Sequence, residues 1–413
     1  MCKAHAVEVG LATEVEKEKI EGTRSGAGFV GGNIAGGVLG RSLKELEAFI
    51  GPKDAVMVAD STGRVLLEKN AERPLVPASI LKIFTSLVAI HHLGFDYRFA
   101  TDFYLDKGSN LIIKGYGDPL LISETVGEIA SRLATISGRV KDIVLDDSYF
   151  AQSLEIPGVS SSSRPYDAPN GALCVNFNTV FFKKKNNVFV SAEPETPLLP
   201  IALERVRRSG LNRGRIVLSH DENLVTLYAG GLFQYFLRQA GVEVNGEVRL
   251  GTVQPATDRL VYRHHSIFTL RDIIAKLLDH SNNFATNQIL ITSGVKAFGT
   301  PGTMEKGVRT ARAYARDILG LTKIRISEGS GISRDNQISA RDMLRVLEVF
   351  SPHRFLLRNQ GLRYYKTGTL RDVSTRAGYT ENRSGLIHRF VVMINTPGKS
   401  AELVTDKLFA RLE

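Results

Sequence analysis

Three short motifs in this 413-residue chain bring together residue types suited to acyl transfer. Ser79-Ile80-Leu81-Lys82 sets a hydroxyl three positions before an amine. Ser281-Asn282-Asn283 supplies a second hydroxyl and an amide, and Lys366-Thr367-Gly368 a second amine followed by a hydroxyl and a bare backbone position. A serine attacks a carbonyl efficiently only if a base takes its proton, and a lysine is a base only when neutral. Burial and a neighbouring ammonium both lower a lysine pKa, and Lys366 is the natural second ammonium for Lys82. Each motif alone is weak, since a chain of this length holds roughly one or two Ser-x-x-Lys matches by chance. The bland readings are a helix-cap serine with a solvated lysine, a capped helix linker and an exposed turn.

The elements around the motifs strengthen the chemical reading. Pro77 opens a helix that runs through SILKIFTSLVAIHHL and stops at Gly94, with the proline and glycine where helix ends favour them. Ser79 then falls in the first turn, where the amide dipoles favour negative charge on its oxygen, and Lys82 lies on the same face one turn on. Leu270, Ile273, Ile274, Leu277 and Leu278 form the apolar face of a helix ending near His280, so Ser281 is expected on a loop pointing into a cleft. Its hydroxyl could relay a proton to a leaving amine, and Asn283 could hold a substrate backbone group. Lys366-Thr367-Gly368 falls in a candidate edge strand, Leu362 to Thr369, able to pair with an extended peptide. Gly368 would leave the strand bare where substrate approaches, Lys366 and Thr367 could bind a terminal carboxylate, and the N–H groups of Ser79 and Thr369 would form an oxyanion hole. No G-x-S-x-G elbow is present, and His280 is read as the end of a helix.

The remaining periodicity gives an α+β organisation. Residues 1–40 read as a leader without structure, glycine-rich between Gly26 and Gly40 and a poor match to a secretory signal. A short helix over Ser42 to Ile50 and two strands, Ala55 to Asp60 and Arg64 to Glu68, begin a first segment over 41–95. Residues 96–261 read as an inserted, mainly-β module with a few helices and a Ser/Pro-rich loop from Ser160 to Pro169. Over 262–413, helices at about 268–280, 284–297, 303–319 and 339–350 precede strands Leu362 to Thr369, Thr375 to Thr380 and Leu386 to Asn395. A last helix covers Ser400 to Leu412. The first two and last three strands could form one antiparallel sheet with helices on its faces.

Composition excludes several classes. A hydrophobic share of 43% and a charged share of 23% are ordinary for a globular protein. No apolar run approaches the roughly 20 residues that span a bilayer. Cys2 and Cys174 give neither zinc spacing nor a redox pair, no HExxH occurs, and no cofactor is implied. The net charge of +10 favours anionic partners. With no nucleic-acid motif on the chain, an anionic wall polymer suits that excess better than nucleic acid.

Taken with their flanking segments, the three motifs resemble the D-alanyl-D-alanine carboxypeptidase/endopeptidase family of class C low-molecular-mass penicillin-binding proteins, peptidase family S13. The likeness extends over about residues 41–413. VPASILKIFTSLVAI resembles the family's nucleophile helix. GYGDPLL at 115–121, IVLDDSYF at 143–150 and GVEVNGEV at 241–248 resemble segments of its inserted module, and EGSGISRDNQIS at 328–339 a stretch near the substrate side chain. The resemblance implies a β-lactamase/transpeptidase-like domain with a five-stranded antiparallel sheet. It also implies an acyl-enzyme on Ser79 formed from peptidoglycan stem peptides, inhibition by β-lactams, and a site of action in the periplasm or cell envelope. It assigns catalysis to Ser79, Lys82, Ser281, Asn283 and Lys366, and substrate binding to Thr367, Gly368 and Thr369. Arg334, with Asp146 or Asp147, would meet the diamino-acid side chain of the stem peptide. Two departures stand out: the insert is compact, so that a nested third domain is expected to be reduced or missing, and the usual signal sequence is not evident. The rival readings are a β-lactamase, for which no SDN and no assignable deacylating glutamate is found, and a non-catalytic wall-binding homologue.

Overall fold

The computed structural model describes residues 43–412, so the leader reading of 1–40 lies outside the described residues. A five-stranded antiparallel sheet runs in the order Arg363–Leu370, Val373–Glu381, Ile387–Ile394, Asp54–Ala59, Val65–Lys69. Alternation along its strands sorts side chains between two layers. Ala55, Met57, Ala377, Tyr379, Val391 and Met393 face the main core, which also holds Ile83, Phe84 and Leu87 of helix Leu81–Leu93 and Met343, Val346 and Leu347 of helix Ala340–Phe350. Val56, Val58, Phe390, Val392 and Ile394 face helix Ala401–Leu412, through Val404, Leu408 and Phe409. The interior strand Asp54–Ala59 is therefore buried along its whole length, which explains its run of apolar residues without polar alternation.

The strands between 100 and 265 pair only among themselves. Val248–Leu250, Ile143–Asp146 and Leu111–Gly115 are parallel neighbours, and Ala100–Leu105 and Arg259–His265 complete the sheet antiparallel. We propose that the insertion extends from about 99 to 266, a little beyond the expected boundary at 261, because Arg259–His265 is an integral edge strand. Helices Ser123–Ala134 and Glu222–Gln239 bury Val126, Ile129, Leu232 and Phe233 in a core of its own. With these helices and helix Pro200–Arg208 beside its strands, the insertion carries the few helices expected in a mainly-β module. The parallel pairs account for these helices, because such strands need a long crossover, here a helix. Where a nested domain was expected to be reduced or missing, a small three-stranded sheet, Val188–Ser191, Thr179–Lys185 and Arg213–Val217, is present.

The ends of the five-stranded sheet are tied across nearly the whole chain by Asp54. Its fully buried carboxylate accepts the backbone N–H groups of Asn395 (2.9 Å), Thr396 (3.0 Å) and Gly51 (2.9 Å). Substituting Asp54→Ala would strand buried donors and is expected to cost about 2–3 kcal/mol. Thermal or urea melts of the variant against the parent check this.

Candidate active site

The nucleophile turn is more constrained than a simple helix start. Ser79 lies in a 3-10 turn, Ala78–Ile80, and the α-helix begins only at Leu81. Ala78 has φ +49°, a left-handed conformation unusual for a residue with a Cβ. Two glycines press on this turn. Gly331, itself at φ +83°, abuts the carbonyl of Ala78, and a methyl group there would lie 3.2 Å from the Ser79 nitrogen. A methyl group on Gly368 would lie 2.8 Å from the Ser79 nitrogen and 2.9 Å from the Pro77 carbonyl oxygen. Beyond the approach of substrate expected at Gly368, the strand is bare there to admit the nucleophile turn. Thr375, on the neighbouring strand, donates its hydroxyl to the Pro77 carbonyl at 2.6 Å and fixes the same approach.

Lys82 is fully buried, and its amine lies 2.9 Å from Ser79 Oγ, 2.8 Å from Asn283 Oδ1 and 2.6 Å from the Ser330 carbonyl oxygen. Burial, reinforced by the Lys366 ammonium, pulls its pKa down to about 7, while Glu328 acts in the opposite sense. Lys366 is also buried. Its pKa falls to about 8, chiefly through burial, with Asp279 opposing. Its amine donates to the Thr367 carbonyl at 3.0 Å. Alternation along the strand buries Lys366 and Gly368 and exposes Thr367 and Thr369.

Asn283 opens helix Asn283–Phe298 after an Asn282 cap. Its Oδ1 accepts from the Lys82 amine, and the Nδ2 of the same amide, expected to hold a substrate backbone group, reaches the Tyr166 carbonyl at 3.4 Å. Ser281 caps helix Leu270–His280 in a left-handed conformation, φ +54°. Glycine is the usual residue at such a position, and a serine held there is a local strain of the kind that gathers at functional sites. His280 is exposed beside Asp279, as expected of a helix end.

Asp146, Asp147 and Arg334 find their hydrogen-bond partners outside this cluster. Asp146 is buried and satisfied inside the insertion by Lys114 (2.9 Å), the Ser148 hydroxyl (2.6 Å) and the backbone N–H groups of Ser148 and Val253. It is a structural clamp on its strand, which corrects its assignment to substrate. Asp147 accepts from Gln152 and Thr226, both at 3.0 Å, again within the insertion. Arg334 is exposed and donates to the Arg371 carbonyl in the turn after the Lys-Thr-Gly strand, which puts it at the rim of that strand.

Residues outside the three motifs also build the site. The insertion's loop delivers the Tyr166 carbonyl to Asn283, and Asn170 donates to the Phe284 carbonyl at 2.9 Å. Asp167, buried within this loop, gathers the hydroxyls of Ser160 and Ser162. Ser330 holds Lys82 through a backbone carbonyl, which no side-chain motif could announce. The glycines on both sides of Ser330 were the one available signal.

The geometry can be set beside known proteins. The profile of the "D-Ala-D-Ala carboxypeptidase 3 (S13) family" matches residues 39–209 and 215–360. The chain belongs to the S13 family. It is accordingly a serine-type carboxypeptidase of the D-Ala-D-Ala class. The D-alanyl-D-alanine carboxypeptidase of Actinomadura sp. (strain R39) is 25% identical over 451 residues, covering 90% of this chain and 83% of that protein. D-alanyl-D-alanine carboxypeptidase DacB of Haemophilus influenzae is 24% identical over 407 residues, covering 80% and 83%. Penicillin binding protein 4 from H. influenzae has the same fold at 20% identity and TM-score 0.72, covering 89% of this chain and 99% of that one. The five-stranded sheet with flanking helices is thus the S13 peptidase arrangement. The Lys-Thr-Gly strand lies just beyond the matched segment. Among the described residues no helix is long and apolar enough to cross a membrane, and no group of His, Cys, Asp or Glu could hold a metal ion.

Two outcomes follow from this geometry. Acylation should rise with pH through about 7 as Lys82 loses its proton, and substrate binding should weaken above about 8 as Lys366 loses its charge. A bell-shaped kcat/KM profile between pH 5 and 10 checks both limbs. Gly368→Ala should drive the strand off the nucleophile turn and lower acylation by about a hundredfold, measured as the rate of covalent labelling by a fluorescent penicillin.

Proposed function

We propose that this protein is a D-Ala-D-Ala carboxypeptidase/endopeptidase of peptidoglycan stem peptides that works through an acyl-enzyme on Ser79. The observation that carries this reading is the 2.9 Å hydrogen bond between a buried lysine amine and the Ser79 hydroxyl. Neutral Lys82 takes the Ser79 proton as Oγ attacks the carbonyl of the penultimate D-Ala. The negative oxygen is received between the N–H groups of Ser79 and Thr369. This is supported by the close approach of the Gly368 backbone to the Ser79 nitrogen. Lys82 then returns its proton, with Ser281 as relay, to the departing amine. The C–N bond breaks, D-Ala or a cross-linked peptide leaves, and water hydrolyses the ester.

Lys366 and Thr367 bind the terminal carboxylate in this scheme, Lys366 by charge and Thr367 by its exposed hydroxyl. Arg334 at the strand's rim faces the stem-peptide side chain. Asp147 keeps this assignment only if the substrate reaches the Gln152 and Thr226 side of the insertion. A β-lactam carries a strained amide and a carboxylate in the same relation, so it acylates Ser79 and acts as an inhibitor. The substrate places the site of action in the cell envelope.

Fluorescent penicillin is expected to label the protein covalently, and Ser79→Ala to abolish labelling while the melting temperature holds. Labelling that survives in this variant would show that another residue is the nucleophile. Lys82→Ala should slow acylation by about 100-fold or more. Mass analysis of digested muropeptides should show loss of terminal D-Ala. Rapid repeated turnover of a chromogenic cephalosporin would point instead to a β-lactamase.

A further inference from the structure

Behind the Lys82 amine lies a second buried charge that the three motifs do not include. Glu328 is fully buried, and neutral donors surround its carboxylate. Oε2 accepts the Ser330 N–H at 2.6 Å. Oε1 accepts the Gly331 N–H at 2.7 Å, the Ser333 N–H at 3.3 Å and the Asn336 side-chain amide at 2.7 Å. Consecutive amides folded round an anion make a nest, and here the anion is part of the same loop. The wrapping fixes the outer side of the loop. The Ser330 carbonyl receives the Lys82 amine at 2.6 Å, the Gly329 carbonyl receives the Thr85 hydroxyl at 2.7 Å, and the Gly329 N–H reaches Asn287 Oδ1 at 2.8 Å. Gly331, next to Ser330 and itself a donor to the carboxylate, abuts the nucleophile turn. One carboxylate thus shapes both the seat of the base and a wall of the nucleophile.

We propose that Glu328 is a positioning residue for acyl transfer, acting through the Ser330 carbonyl to hold the Lys82 amine and serving as the negative counterpart of Lys366 across that amine. The proposal rests on the reading of Lys82 as base. Lys82 is faced by Ser79 of its own segment, Asn283 of helix Asn283–Phe298, the Ser330 carbonyl and Glu328 of the loop, and Lys366 of the edge strand. Asp279 in turn faces Lys366. Lys366 favours the neutral amine and Glu328 the protonated one. The balance keeps Lys82 able both to take the Ser79 proton and to give it up to the leaving group.

The test is the pH profile of acylation by fluorescent penicillin in the full chain, for the parent, Glu328→Gln and Glu328→Asp. The glutamine keeps the length, removes the charge and turns an amide toward backbone donors. Its plateau rate should fall about tenfold or more. With the negative charge gone, protonated Lys82 is less favoured, so its acid limb should move to lower pH, by about half to one unit. The aspartate keeps the charge but withdraws it, and should fall between the glutamine variant and the parent in both readouts. A merely structural role would lower the rate and leave the limb in place. An unmoved limb in the folded variants, or a shift to higher pH, overturns the proposal. Loss of the folded state in both, seen by thermal melt, would assign the carboxylate to architecture and also overturn it. If the parent itself is not labelled at Ser79, the acyl-enzyme reading fails. A labelled parent with unmoved variants removes only the role of Glu328.

Discussion

A primary amine with no access to water must give up its proton or be compensated, and the catalytic half of this protein is organised round that constraint at Lys82. The helix that carries it is apolar on nearly every side, so the amine cannot reach solvent. Three acceptors, Ser79 Oγ, Asn283 Oδ1 and the Ser330 carbonyl, converge on it from three separate segments of the chain. They satisfy its hydrogen-bonding capacity without fixing its charge. The charge is left to Lys366 and Glu328, which pull in opposite directions. A lysine poised near neutrality is therefore a property of the packed fold. The helix alone would hold an ordinary, protonated side chain.

Much of this was legible in the sequence because it is local. Proline at one end of the nucleophile helix, glycine at the other and three residues from Ser79 to Lys82 are short-range signals, and the strand carrying Lys366 was placed to within a residue at each end. Helix Leu270–His280 was equally clear, since its apolar spacing is strong and its end is marked by the residues that follow. The general outline of the five-stranded sheet could be read from two strands before the insertion and three after it.

What escaped is non-local or belongs to the backbone. A carbonyl such as that of Ser330 has no residue identity to detect. Gly368 was recognised as a close approach, but the approaching body turned out to be the nucleophile turn from nearly 300 residues upstream. Asp146 and Asp147 were chosen as candidates because carboxylates suit a diamino acid. Their lysine, serine, threonine and glutamine partners come from elsewhere in the insertion, and only the fold shows those acceptors already in use. The parallel pairs of the insertion escaped similarly: crossover helices such as Glu222–Gln239 are apolar on so much of their surface that helical spacing is hard to separate from a buried strand.

The pairing of strand Asp54–Ala59 with Ile387–Ile394 carries a consequence for biosynthesis. As the chain emerges during translation, strand Asp54–Ala59 and the nucleophile helix appear early, yet the strand's neighbour in the sheet and the lysine-bearing edge arrive roughly 300 residues later. Loop closure over such a span is slow, and the insertion can form its own core in the meantime. A half-made chain therefore exposes an apolar strand edge and holds a serine beside an amine that water still keeps protonated. Reactivity is acquired only when the last strands dock. The same interval is the time in which this protein is most exposed to aggregation.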